Sequence, residues 1–190
     1  LNTVLLDSVD LGAANPWALT CTADEKYICV THAGTHEVSV IDRAALHAKL
    51  GRLAKGEKVS ETSQTPEDVP NDLSFLVDLR RRIKLTGSGP RDIVVIGSKV
   101  YTAEYFSDSI GIVDIDPDVV PRPVSIAIGK KQEMAKDRRG EMLFHDADMC
   151  FQKWQSCSSC HPSSGRPDSL NWDLLNDGIG NPKNTKSLLF

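Results

Sequence analysis

Two segments of this 190-residue chain repeat one pattern. NPWALTCTADEKYICVTHAGTHEVSVID (residues 15–42) and GPRDIVVIGSKVYTAEYFSDSIGIVDID (residues 89–116) each hold a proline, three short runs of alternating apolar and polar residues, and an acidic close. A two-residue period marks strands with one buried face. Loops of two to five residues permit only antiparallel neighbours. Each segment is therefore expected to be a meander, with strands over 17–22, 27–32 and 37–42, and over 92–96, 99–105 and 109–114. Further runs at 81–85 and 124–128 bring each meander to four strands, and residues 4–11 read as one more. A repeated unit constrains the fold strongly, because each copy must bury a face against a neighbour.

Residues 44–79 interrupt this rhythm. Ala45, Leu46, Leu50 and Leu53 stand at helical spacing, which predicts a helix in AALHAKLGRLAKG. Residues 57–71 are polar, hold Pro66 and Pro70, and read as a loop. DLSFLVDLR reads as a short helix or an irregular apolar plug. From Gly129 the composition shifts. KKQEMAKDRRGEMLFHDADMC predicts a helix that offers Met134, Met142, Leu143 and Phe144 to a core. Gly-, Pro- and Asn-rich segments follow to residue 190. The expected division is a β region over 1–128, with an insertion at 44–79, and a second domain over 129–190.

Formal net charge is −4. Residues 1–128 carry 13 basic and 18 acidic side chains, and residues 129–190 carry nine and eight. Neither part has the basic field that nucleic acid or an anionic membrane surface requires, so both are demoted as expected partners. No apolar run approaches the roughly 20 residues of a membrane-spanning helix. The chain begins at Leu1 rather than Met, which reads as a mature product or a piece of a longer protein.

The residues that carry chemistry are Cys157-Ser-Ser-Cys160-His161, a C-x-x-C-H sequence. This is the attachment pattern of c-type haem. Two thiols three positions apart share one helical turn and reach one edge of a porphyrin. The adjacent His161 is then the proximal iron ligand. The competing readings are a redox dithiol and half of a zinc site. A zinc site needs two more ligands, and only Cys150 and His145 lie near enough in sequence. The second axial position is unassigned. No His or Met follows His161, so the upstream candidates are His145, Met149 and Met142. Trp154 and Trp172 flank the motif and read as packing residues, with electron relay the sharper alternative. Cys21 and Cys29 bracket a tight turn, either as a cross-strand disulfide or as two small apolar residues. Arg80-Arg81-Arg82 reads as a solvated strand edge that discourages edge pairing. Asp42, Asp114, Asp116 and Asp118 end strands as Asx-turn residues.

Two resemblances extend this reading. With their Pro, V-Y-T or V-T, and V-I-D elements, the meanders of residues 1–128 resemble blades of YVTN-type β-propellers. RRGEMLFHDADMC, the C-x-x-C-H motif, Asp177-Gly178, Asn181 and Asn184-Thr185-x-Ser187-Leu188 resemble the cytochrome c domain of the bacterial di-haem cytochrome c peroxidase and MauG-like family. The resemblances imply a mainly β fold with α elements, in which about two four-stranded propeller-like blades precede a small, mostly helical cytochrome c domain. They imply one covalent haem c, electron transfer, and, if the parent protein is an enzyme, a peroxidase-type haem oxidoreductase. They also imply export to the periplasm or cell surface, and a redox partner protein or a second haem domain. The chain departs from both families. A closed propeller has four to eight blades, and a di-haem enzyme needs two C-x-x-C-H motifs where this chain has one. Open blade edges imply self-association. The alternative reading is a cell-surface propeller module that binds a ligand or protein with the haem site unloaded.

Overall fold

The computed structural model describes Val4 and residues 11–130, 133–169, 171–172 and 183–189. The strand expected over 4–11 lies outside the described residues except at its two ends. Two four-stranded antiparallel sheets form most of the structure. The first runs in the order β1 (Pro16–Cys21), β2 (Tyr27–His32), β3 (Glu37–Asp42) and β4 (Arg80–Lys84). The second runs β5 (Pro90–Ile96), β6 (Lys99–Glu104), β7 (Ser109–Asp114) and β8 (Val124–Ala127). Neither sheet closes on itself. Among the described residues no helix is long and apolar enough to cross a membrane.

Between β3 and β4 runs helix α1 (Arg43–Ala54). Asp42 starts it, because its Oδ1 accepts a hydrogen bond from the Ala45 amide at 2.8 Å. Leu46 and Leu53 face inward. The expected loop contains one 3₁₀ turn at Pro66–Asn71. DLSFLVDLR forms successive turns, so it is the apolar plug and not a helix. Asp72 anchors it, accepting from the hydroxyls of Ser60, Ser63 and Ser74 at 2.5, 2.6 and 2.6 Å. Burial alone would raise the Asp72 carboxyl, but these bonds outweigh it and hold the group below its ordinary range.

Two apolar clusters account for the burial pattern. Cys29, Val38, Val40, Ile83 and Leu85 of the first sheet meet Val100, Val113 and Ile115 of the second. On the other face of the first sheet, Val30 and Ile41 meet Leu46, Leu53, Val69, Phe75 and Leu76. β3 is therefore buried on both faces, whereas β5 alternates. A fully buried side chain of the size of Leu or Phe contributes roughly 1.5–3 kcal/mol, so covering the first sheet twice makes it the stable centre. The second sheet is covered once. Its other face leaves Val94, Ile96, Val124, Ile126 and Ile128 exposed.

Two expectations need correction. The long helix expected over 130–150 is only α2 (Lys136–His145), and none of its residues is buried. It ends because Asp146 accepts the Asp148 amide at 2.8 Å and Ala147 donates to the Gly34 carbonyl at 2.9 Å. Met142 and Phe144 are half-buried and Leu143 is exposed. The arginine run lies on a sheet edge, β4, as expected, but Arg81 and Arg82 are not solvated. Arg82 binds Glu37 Oε2 and the carbonyls of Leu11 and Gly12, and Arg81 binds the Ile115 carbonyl. Of the two readings left open for Cys21 and Cys29, the disulfide is absent: both are free, Cys29 buried and Cys21 exposed. Cys29 pairs with Thr20 and Cys21 with Ile28, so a one-residue offset sets the two cysteines on opposite faces.

Candidate functional site

Cys157–Cys160 forms a single helical turn, α3. Ser156 and Ser159 cap it reciprocally, with the Ser156 amide donating to Ser159 Oγ at 3.1 Å. Both cysteines are free, Cys157 exposed and Cys160 half-buried. The His161 amide closes the turn on the Cys157 carbonyl at 3.0 Å. Pro162 then starts a second turn, α4 (Pro162–Gly165), which ends at Gly165 with φ 92°. The spacing thus sets both thiols on one turn with His161 at its end. Burial raises the Cys160 thiol, with Asp168 and Cys157 adding to the shift. The zinc reading gains nothing. Among the described residues the one group with ligand atoms close enough for a metal is His36, Asp146 and Asp148, which holds neither cysteine.

That group serves as a clamp. The Gly89 amide donates to His36 Nδ1 at 3.0 Å, which leaves the neutral ring's proton on Nε2, 3.5 Å from Asp146 Oδ1. Asp148 takes Lys84 Nζ at 3.3 Å and Lys153 Nζ at 3.0 Å. The nitrogen nearest the carboxylates is thus the protonated one, and both lysines compete with any cation.

A cavity of about 500 Å³ lies beside the C-x-x-C-H turn, lined by Gly140, Glu141, Phe144 and His145 of α2 and by His161, Gly165 and Leu188. Among the described residues, Nδ1 of His161 and Nδ1 of His145 are both buried without a hydrogen-bond partner. Such atoms are costly unless a ligand takes them up. Two free thiols on one turn with an adjacent histidine are the residues that would hold a covalently attached haem c, and His161, though neither thiol, lines the largely apolar space beside them. The other sequence candidates lie elsewhere. Met149 is 64% exposed and, like Met142 and Trp154, does not line the cavity. The Trp172 side chain, Asp177, Gly178 and Asn181 lie outside the described residues. A larger cleft of about 760 Å³, between β8 and the start of α2, contains none of the C-x-x-C-H residues.

Three residues that sequence reasoning did not single out hold this site to the sheets. Asn15 sits in the left-handed region with φ 55°. Its Nδ2 lies 2.9 Å from the His145 carbonyl, 2.8 Å from Ser156 Oγ and 3.1 Å from Ser158 Oγ, and Ser159 Oγ donates back to its Oδ1 at 3.2 Å. Arg91 pairs with Glu141 of α2 at 2.9 Å, and its guanidinium lies 4.5, 4.0 and 4.8 Å from the ring centres of Trp17, Tyr105 and Phe106. Trp17 in turn meets the His145 ring edge-on at 5.7 Å. Trp17 and Arg91 each follow the proline of one repeat, and that equivalence was the one available signal. Burial lowers the His145 pKa, Arg91 lowers it further and Glu141 opposes them, so the ring is neutral at pH 7.

No protein-family model matches the chain. A stretch of 49 residues, 26% of the chain, is 45% identical to hydrazine synthase subunit gamma of Kuenenia stuttgartiensis. That stretch spans 14% of the relative's length, so the similarity is local to one segment of each protein.

Proposed function

We propose that this chain is a c-type cytochrome module in which Cys157 and Cys160 hold one haem c through thioether bonds and His161 is the proximal ligand. The observation that carries this reading is the Cys157–Cys160 turn ending at His161, with His161 lining a cavity of about 500 Å³. Haem c supplies one-electron transfer. The protein's own part is placement and water exclusion. Ser156 and Ser159 fix the turn, Asn15 ties it to the first sheet, and Phe144 and Leu188 keep that side of the cavity apolar. The acceptor or donor is a redox partner protein or a second haem domain. A peroxidase-type activity of a longer parent stays with the family resemblance. Thioether attachment requires reduced thiols and maturation outside the cytoplasm, so the reading includes export to the periplasm or cell surface.

The test is intact mass and a pyridine haemochrome spectrum on protein made with a c-type maturation system. A one-haem mass increase that survives denaturation, and is lost in Cys157→Ala/Cys160→Ala, is the expected result. Unmodified mass in the wild-type protein overturns the reading.

A second reading rests on a different observation. The two sheets repeat their packing in register, as blades of a propeller do. The Leu85 amide donates to the His36 carbonyl at 2.9 Å, and at the same repeat position the Ile128 amide donates to the Asp108 carbonyl at 2.7 Å. Val38 pairs with Ile83 in the first sheet as Ile110 pairs with Ile126 in the second. The first sheet's Val38 face seats the second sheet, while the matching Ile110 face of the second sheet is open. This supports a propeller-like stack with one unfilled docking face, and a role in protein contact alongside the haem site.

A further inference from the structure

Equivalent faces of the two sheets are covered differently. Ile28 pairs with Ile41 in the first sheet as Val100 pairs with Val113 in the second. Val100 and Val113 pack against the first sheet. Ile28 and Ile41 pack instead against Leu46, Leu53, Val69, Phe75 and Leu76 of the insertion between β3 and β4. The insertion thus fills the place that a preceding sheet would take. The second sheet has no counterpart to it, because only residues 115–123 join β7 to β8. We infer that the insertion caps the stack at the first sheet, and that the open Ile110 face of the second sheet is closed by the same face of a second copy of this chain. The assembly is a closed pair, four sheets deep with a cap at each end. This deepens the stacked-sheet reading and rests on it.

The insertion has the build of an end piece. Lys49 Nζ donates to the Phe75 carbonyl at 2.7 Å, and the Asp42 amide donates to the Leu79 carbonyl at 2.9 Å. Its outward side is polar. His47, Lys55 and Glu67 are exposed, and Arg52 pairs with Glu57 at 2.8 Å and Lys58 with Glu61 at 2.9 Å. Stacked-repeat proteins end in units with such a polar outer side. Beside β1 a cleft of about 420 Å³ remains between Leu19 and Leu76, which has room for a few side chains and none for a sheet.

The open face has the opposite character. Val94, Tyr101, Ile112 and Val124 stand opposite one another across all four strands, and Ala103, Ile110 and Ile126 form the next row. The first row carries no charge, and the second carries only Asp92, at its β5 end. The matching positions of the first sheet, among them Cys29, Val38, Val40 and Ile83, seat the second sheet within one chain. The face is therefore built to receive an apolar sheet and offers a charged partner nothing to pair with. A copy arriving head to tail would have to present its Ile28 and Ile41 face, which its own insertion holds. Each chain keeps one open face, and two identical faces meet across a two-fold axis, which stops growth at two chains.

Light scattering and a mixing experiment on the full chain test this. With rising concentration the wild-type mass is expected to double, from one chain to two, and to stop there. Ile126→Lys is expected to stay at one chain mass and to form no complex with the wild-type protein, because a shared face would bury the lysine without a partner. Head-to-tail contact would instead let Ile126→Lys bind the wild-type open face through its unaltered first sheet. Growth beyond two chains, or a complex between Ile126→Lys and the wild-type protein, overturns the capped two-fold arrangement. A monomer at every concentration overturns the second copy as the occupant and leaves the stacked-sheet reading standing. Exchange of the β8 amides at the rate of an unstructured chain overturns that reading itself. The wild-type mass is decisive alone, so the inference does not depend on the folding of Ile126→Lys.

Discussion

The Asn15 side chain reaches 2.8 Å from Ser156 Oγ across 141 positions of sequence. One amide thereby joins the start of the first sheet to the cap of the C-x-x-C-H turn, with the His145 carbonyl as a further acceptor. A four-residue helix is too short to be stable on its own, so α3 owes its shape to such ties. Gly12 adds a second one. Its amide donates to the Gln152 carbonyl at 2.8 Å, and a Cβ there would collide with the backbone of Lys153 and Trp154.

Removing the Asn15 side chain should therefore loosen the motif before it unfolds the sheets. Asn15→Gly keeps the left-handed backbone and deletes only the hydrogen bonds, at an expected cost of about 1–2 kcal/mol. Asn15→Ala should cost about 1 kcal/mol more, because Ala tolerates a φ of 55° poorly. Hydrogen exchange is the measure. Amides of 156–161 should lose protection in both variants while those of β2 and β3 keep theirs. Equal loss everywhere would show that Asn15 supports the whole fold and not the motif.

The fold was largely legible and the site only in part, for physical reasons that particular residues make plain. Tyr27–His32, Glu37–Asp42 and Ser109–Asp114 are strands at the expected bounds, because tight turns and apolar runs are local signals. The C-x-x-C-H motif was legible for the same reason, since its residues are contiguous. What was not legible is what lies far apart in sequence. Nothing in RRR announces that Arg82 will hold the carbonyls of Leu11 and Gly12, or that Arg91 will lie between Trp17 and Tyr105. The overlong helix prediction over 130–150 failed on the Asx turn at Asp146, which ended a pattern that propensity alone would have continued.

Stability should fall on mild acidification, because His32 is fully buried and neutral. Burial first, then the positive charges of Arg80 and Arg82, push its pKa down to about 3. The unfolded chain protonates this histidine near the ordinary value of about 6.5. Its contribution is thus fully present above pH 6.5 and is lost as pH falls from there toward 3, since only the unfolded state takes the proton. The slope from one such histidine approaches about 1.4 kcal/mol per pH unit. Urea midpoints at pH 8, 6 and 4.5 measure it, in a window where carboxylates stay mostly ionised. His32→Gln should flatten the profile. The remaining slope should reflect His36, which burial and Lys84 also lower, and His145, which burial and Arg91 lower. An unchanged slope in His32→Gln would place the acid sensitivity elsewhere.

The open face of the second sheet yields the last prediction. Val124, Ile126 and Ile128 are 56%, 55% and 64% exposed, and Val94 and Ile96 lie on the same side. The equivalent residues of the first sheet, among them Ile83 and Leu85, are covered by the second sheet itself. Contiguous apolar faces of this kind on isolated proteins mark docking sites, and two such faces can meet across a two-fold axis. The chain should therefore self-associate through this face. Sedimentation velocity should show a concentration-dependent shift that Ile126→Lys abolishes, because a charge at the centre of the face would be buried without a partner. Ile126 is more than half exposed in the single chain, so the substitution should leave the thermal midpoint of the dilute protein nearly unchanged. A wild-type protein that sediments as a monomer at every concentration would assign the face to a different partner and remove self-association from the account.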